Sequence, residues 1–372
     1  MYLKTKNILI QKEEVIKSFY EKVYFLSPHL EKCSIEKYNI VFNFNKNIKN
    51  IVAFKRDVGR LIARVNLLDR IEKSKIFYEN KVKISKGLKK NIFQELIRTR
   101  QLIKISDGIY SYQGNFLNEF KRLDKFFFNY AERLGYEELH VNDTLPIESI
   151  INNDYVSNFP NHPIFLSNIQ RNISTLDKIS NLKNLDKNFI GLKLEKPFLV
   201  LSPTVCYHCF EINKKSNMKK NVVFNILAKC NRYESNNYKT LERLQTFTMR
   251  EYVAYGSKRY VENFLKQNLK KFINIFIKSN IKFRIISASD PFFSDTGIKK
   301  IFYQSIQSLK YEIQFYLPKE KKWLAVGSFN NHLNILTQKY KIKSNSKYIY
   351  SGCIGFGYER FLYSLISQGK KL

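Results

Sequence analysis

The sequence predicts an α+β protein, an antiparallel sheet flanked by helices with a small α+β extension at the N-terminus. Three observations carry that expectation. Residues 230–255 read as a hairpin, in which the strand pattern Leu244–Tyr255 follows a polar loop. Ser351–Ile366 runs from an extended, glycine-containing stretch into an amphipathic helix. The first 86 residues mix two periodicities, with apolar residues at helical spacing in Glu13–Leu26 and Val52–Ile76 and strand-like alternation in Tyr38–Phe44. At 372 residues the chain can bury a large core, and two domains are expected, 1–86 and 87–372.

The remaining elements follow in chain order. Asn118–Gly135 has the spacing of a helix with Gly135 as its stop, and an extended run continues from Tyr136 to Pro146. The hairpin places Arg232 and Glu234 at the end of its first strand, and Arg243-x-x-x-Phe247 opens the second. A guanidinium, a carboxylate and an aromatic ring converging there suit a nucleotide. Arginine forks onto phosphate oxygens, glutamate accepts from an exocyclic amine, and phenylalanine stacks on a base. Near the C-terminus, Gly355 and Gly357 permit close backbone approach ahead of a helix that carries Glu359 and Arg360 in its first turns. The chain contains neither a Gly-x-x-x-x-Gly-Lys-Ser/Thr loop nor a Rossmann glycine fingerprint, so side chains must hold any phosphates.

Composition narrows the chemistry. The chain carries 64 Lys+Arg against 32 Asp+Glu, a net charge of +32, and only 15 of the 64 are arginine. Four of those fifteen (Arg232, Arg243, Arg250 and Arg360) fall in the two segments above, where a planar, bidentate cation is needed. Lysine is spread along the whole chain, so the charge signals nucleic acid only weakly and would equally attract an acidic protein. Five widely spaced cysteines argue against a disulfide framework. Cys206-x-x-Cys209 lacks a second such pair, so Cys209 reads as a packed thiol, as do Cys33 and Cys230. His208, beside Cys206, reads as a wall or support residue. With no 18-residue apolar run and no signal-peptide core in Met1–Lys12, a soluble, cytoplasmic protein without a membrane partner is expected.

Arg-x-Glu, a loop, Arg-x-x-x-Phe and then Gly-x-Gly-x-Glu-Arg resemble motifs 2 and 3 of the class II aminoacyl-tRNA synthetases, and Asn118–Pro146 resembles their dimer-forming motif 1. Within that class, Cys206, Glu251 and Cys353 lie 45 and 102 residues apart. They resemble the Cys/Glu/Cys zinc site of methanogenic-type seryl-tRNA synthetase and of its truncated relatives, the amino acid–[carrier protein] ligases. Asp107–Tyr110, Gly114–Phe120, Tyr155–Pro160, Asp290–Phe293 and Ser328-Phe329-Asn330-x-His332 are similar to segments of those ligases. The resemblance spans residues 88–372. The first 86 residues have no counterpart in the compact ligases and lack the long heptads of the tRNA-binding arm of ordinary seryl-tRNA synthetases.

The resemblance implies a site and a reaction. ATP lies bent on the sheet, with Arg232 on the α-phosphate, Glu234 near the adenine amine and Phe247 on the ring. Arg360, with Arg243, holds the β- and γ-phosphates, and Glu312 ligates Mg2+. Zn2+ bound by Cys206, Glu251 and Cys353 keeps a fourth position open for the amino group of a small amino acid such as glycine, alanine or serine. Its carboxylate attacks the α-phosphorus, and Arg232 offsets the charge that develops. The implied acceptor is the phosphopantetheine thiol of a carrier protein, and the implied assembly is a homodimer. A tRNA acceptor and a non-catalytic paralogue acting as a binding module stand as alternatives.

Overall fold

The computed structural model describes residues 1–70, 74–83, 91–182, 187–235, 237–238, 240–288 and 309–370. The segment Asp290–Phe293 and the expected boundary at residue 86 lie outside them. The N-terminal module comprises β1 (Tyr2–Lys6), α1 (Glu13–Val23), β2 (Leu30–Ile35), β3 (Asn39–Phe44) and α2 (Ile51–Asn66). Its strands pair antiparallel in the order β1-β3-β2. Helical spacing in α1 and α2 puts Phe19, Val23, Phe54, Val58 and Ile62 against Phe42 in a core of the module's own. The Asn50 side chain caps α2 by accepting from the Ala53 amide at 2.8 Å.

The helical pattern expected over Val52–Ile76 stops at Asn66. There the side-chain amide accepts from the Ile10 amide and donates to the Ile8 carbonyl, tying the helix end to the β1–α1 connection. Ile76 instead opens a strand of the main sheet. A short apolar run has no periodicity of its own, and a partner some 200 residues away decides its conformation. The sheet therefore draws on residues that the sequence places in the 1–86 extension.

The remaining labelled elements are β4 (Ile76–Glu79), α3 (Gly114–Arg133), β5 (Glu137–Leu139), α4 (Cys206–Ile212), β6 (Val222–Asn231), β7 (Thr246–Gly256), α5 (Lys258–Lys278), β8 (Phe283–Ser287), β9 (Lys310–Leu317), β10 (Lys322–Leu333), β11 (Tyr350–Gly357) and α6 (Tyr358–Ser367). Eight strands form one sheet in the order β4-β8-β9-β10-β11-β7-β6-β5. Every pairing is antiparallel except β6 with β5. The run Tyr136–Pro146 divides: β5 joins this sheet, while Thr144–Pro146 pairs with Leu199–Leu201 in a smaller one.

Strand alternation sorts the two faces of the sheet. Along β7, Tyr252 and Ala254 join a core with Phe127 of α3, Phe272 and Phe276 of α5 and Phe361 of α6. Val253 and Tyr255 point the other way, toward Val205, Cys209 and Phe210 around α4. Arg250 shares the helix-covered face and is 2% exposed. Its guanidinium donates to Asp124 of α3 at 2.6 Å, to the Tyr358 hydroxyl at 2.9 Å and to Asn225 of β6 at 2.8 Å. This motif arginine fastens α3, β6 and α6 to β7 through a rigid, planar fork whose nitrogens lie further apart than the three donors on a single ammonium nitrogen. Among the described residues, no helix is long and apolar enough to cross a membrane.

Candidate metal and nucleotide site

Two adjacent strands and one short helix bring three ionisable side chains together. Glu251 lies on β7 and Cys353 on the neighbouring β11, where Val253 pairs with Cys353 and Glu251 with Gly355. Odd-numbered positions of β7 share one face, so Glu251 points to the same side as Cys353. Cys206, the first residue of α4, closes over that face from the opposite layer. One ligand atom from each of the three lies within 4.8 Å of the other two. Ligands around a tetrahedral zinc ion, with bonds near 2.3 Å to sulfur, stand roughly 3.5–3.8 Å apart. All three side chains are buried.

The donor set also fits a cation electrostatically. Glu251 Oε2 is buried without a hydrogen-bond partner. Burial pushes the Glu251 carboxyl up to about 7. The Cys206 thiol is pushed up by its hydrogen bond with Cys353 and by burial. A dication between these side chains would offset the charge that burial disfavours on Glu251 and Cys206. Outer contacts aim the sulfurs: Asn330 Nδ2 donates to Cys353 Sγ at 3.4 Å, His332 Nε2 lies 3.5 Å from it, and Thr204 Oγ1 lies 3.3 Å from Cys206 Sγ. His208 stands one step further out. Its Nε2 meets Ser202 Oγ at 3.0 Å, and Ser202 Oγ donates to the Thr204 carbonyl. Cys33, Cys209 and Cys230 are buried free thiols, as the sequence suggests. Gly355 keeps the space beside the ligand open, because a Cβ there would sit 3.2 Å from Glu251 Cγ and 3.0 Å from Met249 Cε. Gly357 differs from expectation: a Cβ there meets nothing within 4 Å.

The residues expected at a nucleotide gather at the loop end of the β6–β7 hairpin. Arg232 follows β6, donates from Nε to the Pro203 carbonyl at 2.9 Å and sits 5.3 Å from the Phe247 ring centroid. Burial works against its charge, but Tyr155, Cys230, Glu234 and Glu251 outweigh that and raise its pKa. Arg232 is thus near enough to Glu251 to feel its charge, on the border of the metal cluster and the hairpin end. Arg360 donates to the carbonyls of Glu242 at 2.6 Å and Ala325 at 3.4 Å. Its pKa is lowered by burial and by Arg243, while Glu234 and Glu312 act against this. Glu312 accepts from Gln314 at 3.4 Å and lies 4.0 Å from Lys310 Nζ.

Several of these side chains are engaged with each other rather than turned to open space. Glu234, expected at an adenine amine, accepts from Arg243 at 2.7 Å, and Arg243 also reaches Glu21 of α1 at 2.9 Å. Phe247, expected to stack on a base, carries the Arg232 guanidinium over its ring. Glu359 of the Glu-Arg pair is 1% exposed; it accepts from the Thr248 amide and hydroxyl and from Tyr112. It anchors α6 to β7 and leaves Arg360, one residue on, to face the hairpin loop.

His162, two residues beyond the segment Tyr155–Pro160, carries no motif of its own in the sequence. Its Nδ1 meets the Tyr155 hydroxyl at 3.0 Å and its ring stacks on Phe159 with a 2° interplanar angle. Burial, then the charges of Arg232, Arg243 and Lys22, lower its pKa to about 3. Below about pH 6.5 the unfolded chain protonates this histidine while the folded chain does not, so stability should fall as pH drops from about 6.5 toward 3. Urea midpoints measured across that range should show a shallower slope for His162→Gln than for the wild type.

The sheet and its motifs define a class II aminoacyl-tRNA synthetase fold. Over 99% of this chain and 74% of the other, it superposes with a TM-score of 0.69 and 17% identity on the seryl-tRNA synthetase of M. kandleri, solved in complex with A. aeolicus tRNASec. A cytoplasmic serine-tRNA ligase from Naegleria fowleri in complex with AMP gives 0.62 at 10% identity, covering 86% and 76%. Within that class the chain is homologous to the amino acid–[acyl-carrier-protein] ligases and the type-2 serine–tRNA ligases. It is 35% identical to amino acid–[acyl-carrier-protein] ligase 1 of Bradyrhizobium diazoefficiens over 165 residues, 44% of this chain and 50% of that protein. The type-2 serine–tRNA ligase of Methanopyrus kandleri is 23% identical over 259 residues, 64% and 49%. The chain spans about half the length of the curated relatives it matches. No protein-family model matches it.

Proposed function

We propose that this protein activates a small amino acid with ATP and passes it, as an aminoacyl adenylate, to the phosphopantetheine thiol of a carrier protein. The observation that carries this reading is the convergence of Cys206, Glu251 and Cys353 beside Arg232. Those three side chains would hold a zinc ion that supplies a Lewis-acid grip on the amino group of the substrate. Arg232 then stands where the carboxylate meets the α-phosphorus and offsets the negative charge that develops there. Glu234 and Phe247 take the adenine, Arg243 and Arg360 the β- and γ-phosphates, and Glu312 the magnesium of the nucleotide. No protein nucleophile is required, since positioning and charge neutralisation carry the step. Two copies joined through α3 and the run after it would form the working unit.

The carrier-protein acceptor is supported by the 35% identity to an amino acid–[acyl-carrier-protein] ligase. A tRNA acceptor is favoured by a different observation: the likeness to the M. kandleri synthetase extends over the N-terminal module, for which the sequence offers no counterpart. Pyrophosphate exchange across the amino acids tests activation, with exchange expected for one or more of glycine, alanine and serine. Transfer of that amino acid to a holo-carrier protein, compared with bulk tRNA, then decides the acceptor. Exchange with none of the amino acids would overturn the enzymatic reading.

A further inference from the structure

We infer that the N-terminal module gates the nucleotide site, with Glu21 of α1 occupying Arg243 in the place that the terminal phosphates of ATP would take. This rests on the ATP reading above. The module reaches the β6–β7 loop through contacts from the last turn of α1 and the residues after it. Glu21 Oε1 receives Arg243 at 2.9 Å, and the Glu21 carbonyl receives Asn237 Nδ2 at 3.0 Å. The Tyr24 carbonyl receives Ser235 Oγ at 3.3 Å, and the Phe25 ring meets Tyr233 edge-on at 6.0 Å. The loop in question is the one that carries both nucleotide-binding ends of the hairpin.

Arg243 therefore bridges carboxylates from two parts of the molecule, Glu234 nine residues away and Glu21 more than 200 away. A carboxylate presents the same acceptor-only oxygens to a guanidinium fork as a phosphate does. Glu21 can thus hold Arg243 in a competent orientation while the phosphates are away, yet its charge opposes their arrival. The contact is also of a kind that can be released. Among the described residues it consists of isolated polar bonds and one edge-on ring pair, and beside it Lys22 is buried, donates to Ser18 at 2.8 Å and has no carboxylate within ion-pair distance among the described residues. Burial outweighs the charge of the adjacent Glu21 and disfavours the Lys22 cation. An interface with that cost is poorly suited to permanence. By linkage, nucleotide that loosens the module must bind more tightly when the module is already loose.

Glu21 is on this account a positioning residue, and removing its charge should strengthen nucleotide binding. Calorimetric titration of the full chain with a non-hydrolysable ATP analogue should give binding roughly three- to fivefold tighter for Glu21→Gln than for the wild type, the size of one partly exposed ion pair. Hydrogen exchange of residues 13–26 in the wild type should rise when the analogue is added, a measurement that needs no variant. Equal or weaker binding by Glu21→Gln, or exchange unchanged by the analogue, overturns the gate while leaving ATP binding intact. A wild type that takes up no analogue overturns the ATP reading and the gate with it.

Discussion

On the zinc assignment proposed above, serine in place of Cys206 is expected to strip the protein of zinc and to lower amino-acid-dependent pyrophosphate exchange by at least about 100-fold, beyond the loss that follows from disturbing a metal's outer contacts. The argument is one of donor softness and count. A buried serine hydroxyl does not ionise near neutral pH and is a poor partner for a borderline-soft ion, so two protein ligands would remain where three are needed to hold the ion and leave one position open. The substitution is nearly isosteric at a position 5% exposed, and Thr204 still supplies a hydroxyl 3.3 Å from the replaced atom. The fold should therefore persist, and thermal midpoints of metal-free wild type and variant should agree. Metal content by elemental analysis reads the prediction directly. A variant that keeps a full equivalent of zinc would refute the ligand assignment whatever its activity.

How legible all this is in the sequence depends on the range of the interactions involved. The hairpin and the β11–α6 junction are carried by local period, and each lands within a few residues of expectation. The proposed metal set is legible only through resemblance, because nothing in the vicinity of Cys206 announces Glu251 or Cys353. What the structure adds is the reason they meet: β7 and β11 are neighbours, and residues of one parity share a face. The motif arginines divide in a way no local pattern could reveal. Arg250 is absorbed by Asp124, Asn225 and Tyr358 as a structural fastener, while Arg232, Arg243 and Arg360 gather at the hairpin end. Three features have no local signature at all: the strand at Ile76, the placement of His162, and the docking of α1 on the hairpin loop. Each is decided by partners distant in the chain, where composition and spacing are silent.

Lysine in place of Arg232 separates the charge of that residue from its geometry. The guanidinium already donates from Nε to the Pro203 carbonyl and lies over Phe247, while its two terminal nitrogens form the planar fork that the proposed role requires. Lysine keeps the positive charge near Glu251 and Glu234 but offers a single rotating ammonium, which cannot hold Pro203 and meet two oxygens of a reacting phosphate together. Adenylate formation measured in single turnovers should therefore slow by about 10²- to 10³-fold, the cost of losing a pre-aimed donor at a developing negative charge. Zinc content should stay at the wild-type level, since the guanidinium is no ligand of the ion, and this distinguishes the variant from Cys206→Ser. The affinity for the ATP analogue should weaken far less than the rate, because Arg243 and Arg360 remain for the outer phosphates. An Arg232→Lys enzyme within a few-fold of the wild-type rate would mean that the α-phosphate is neutralised elsewhere, with Arg360 the next candidate by its position across the hairpin loop.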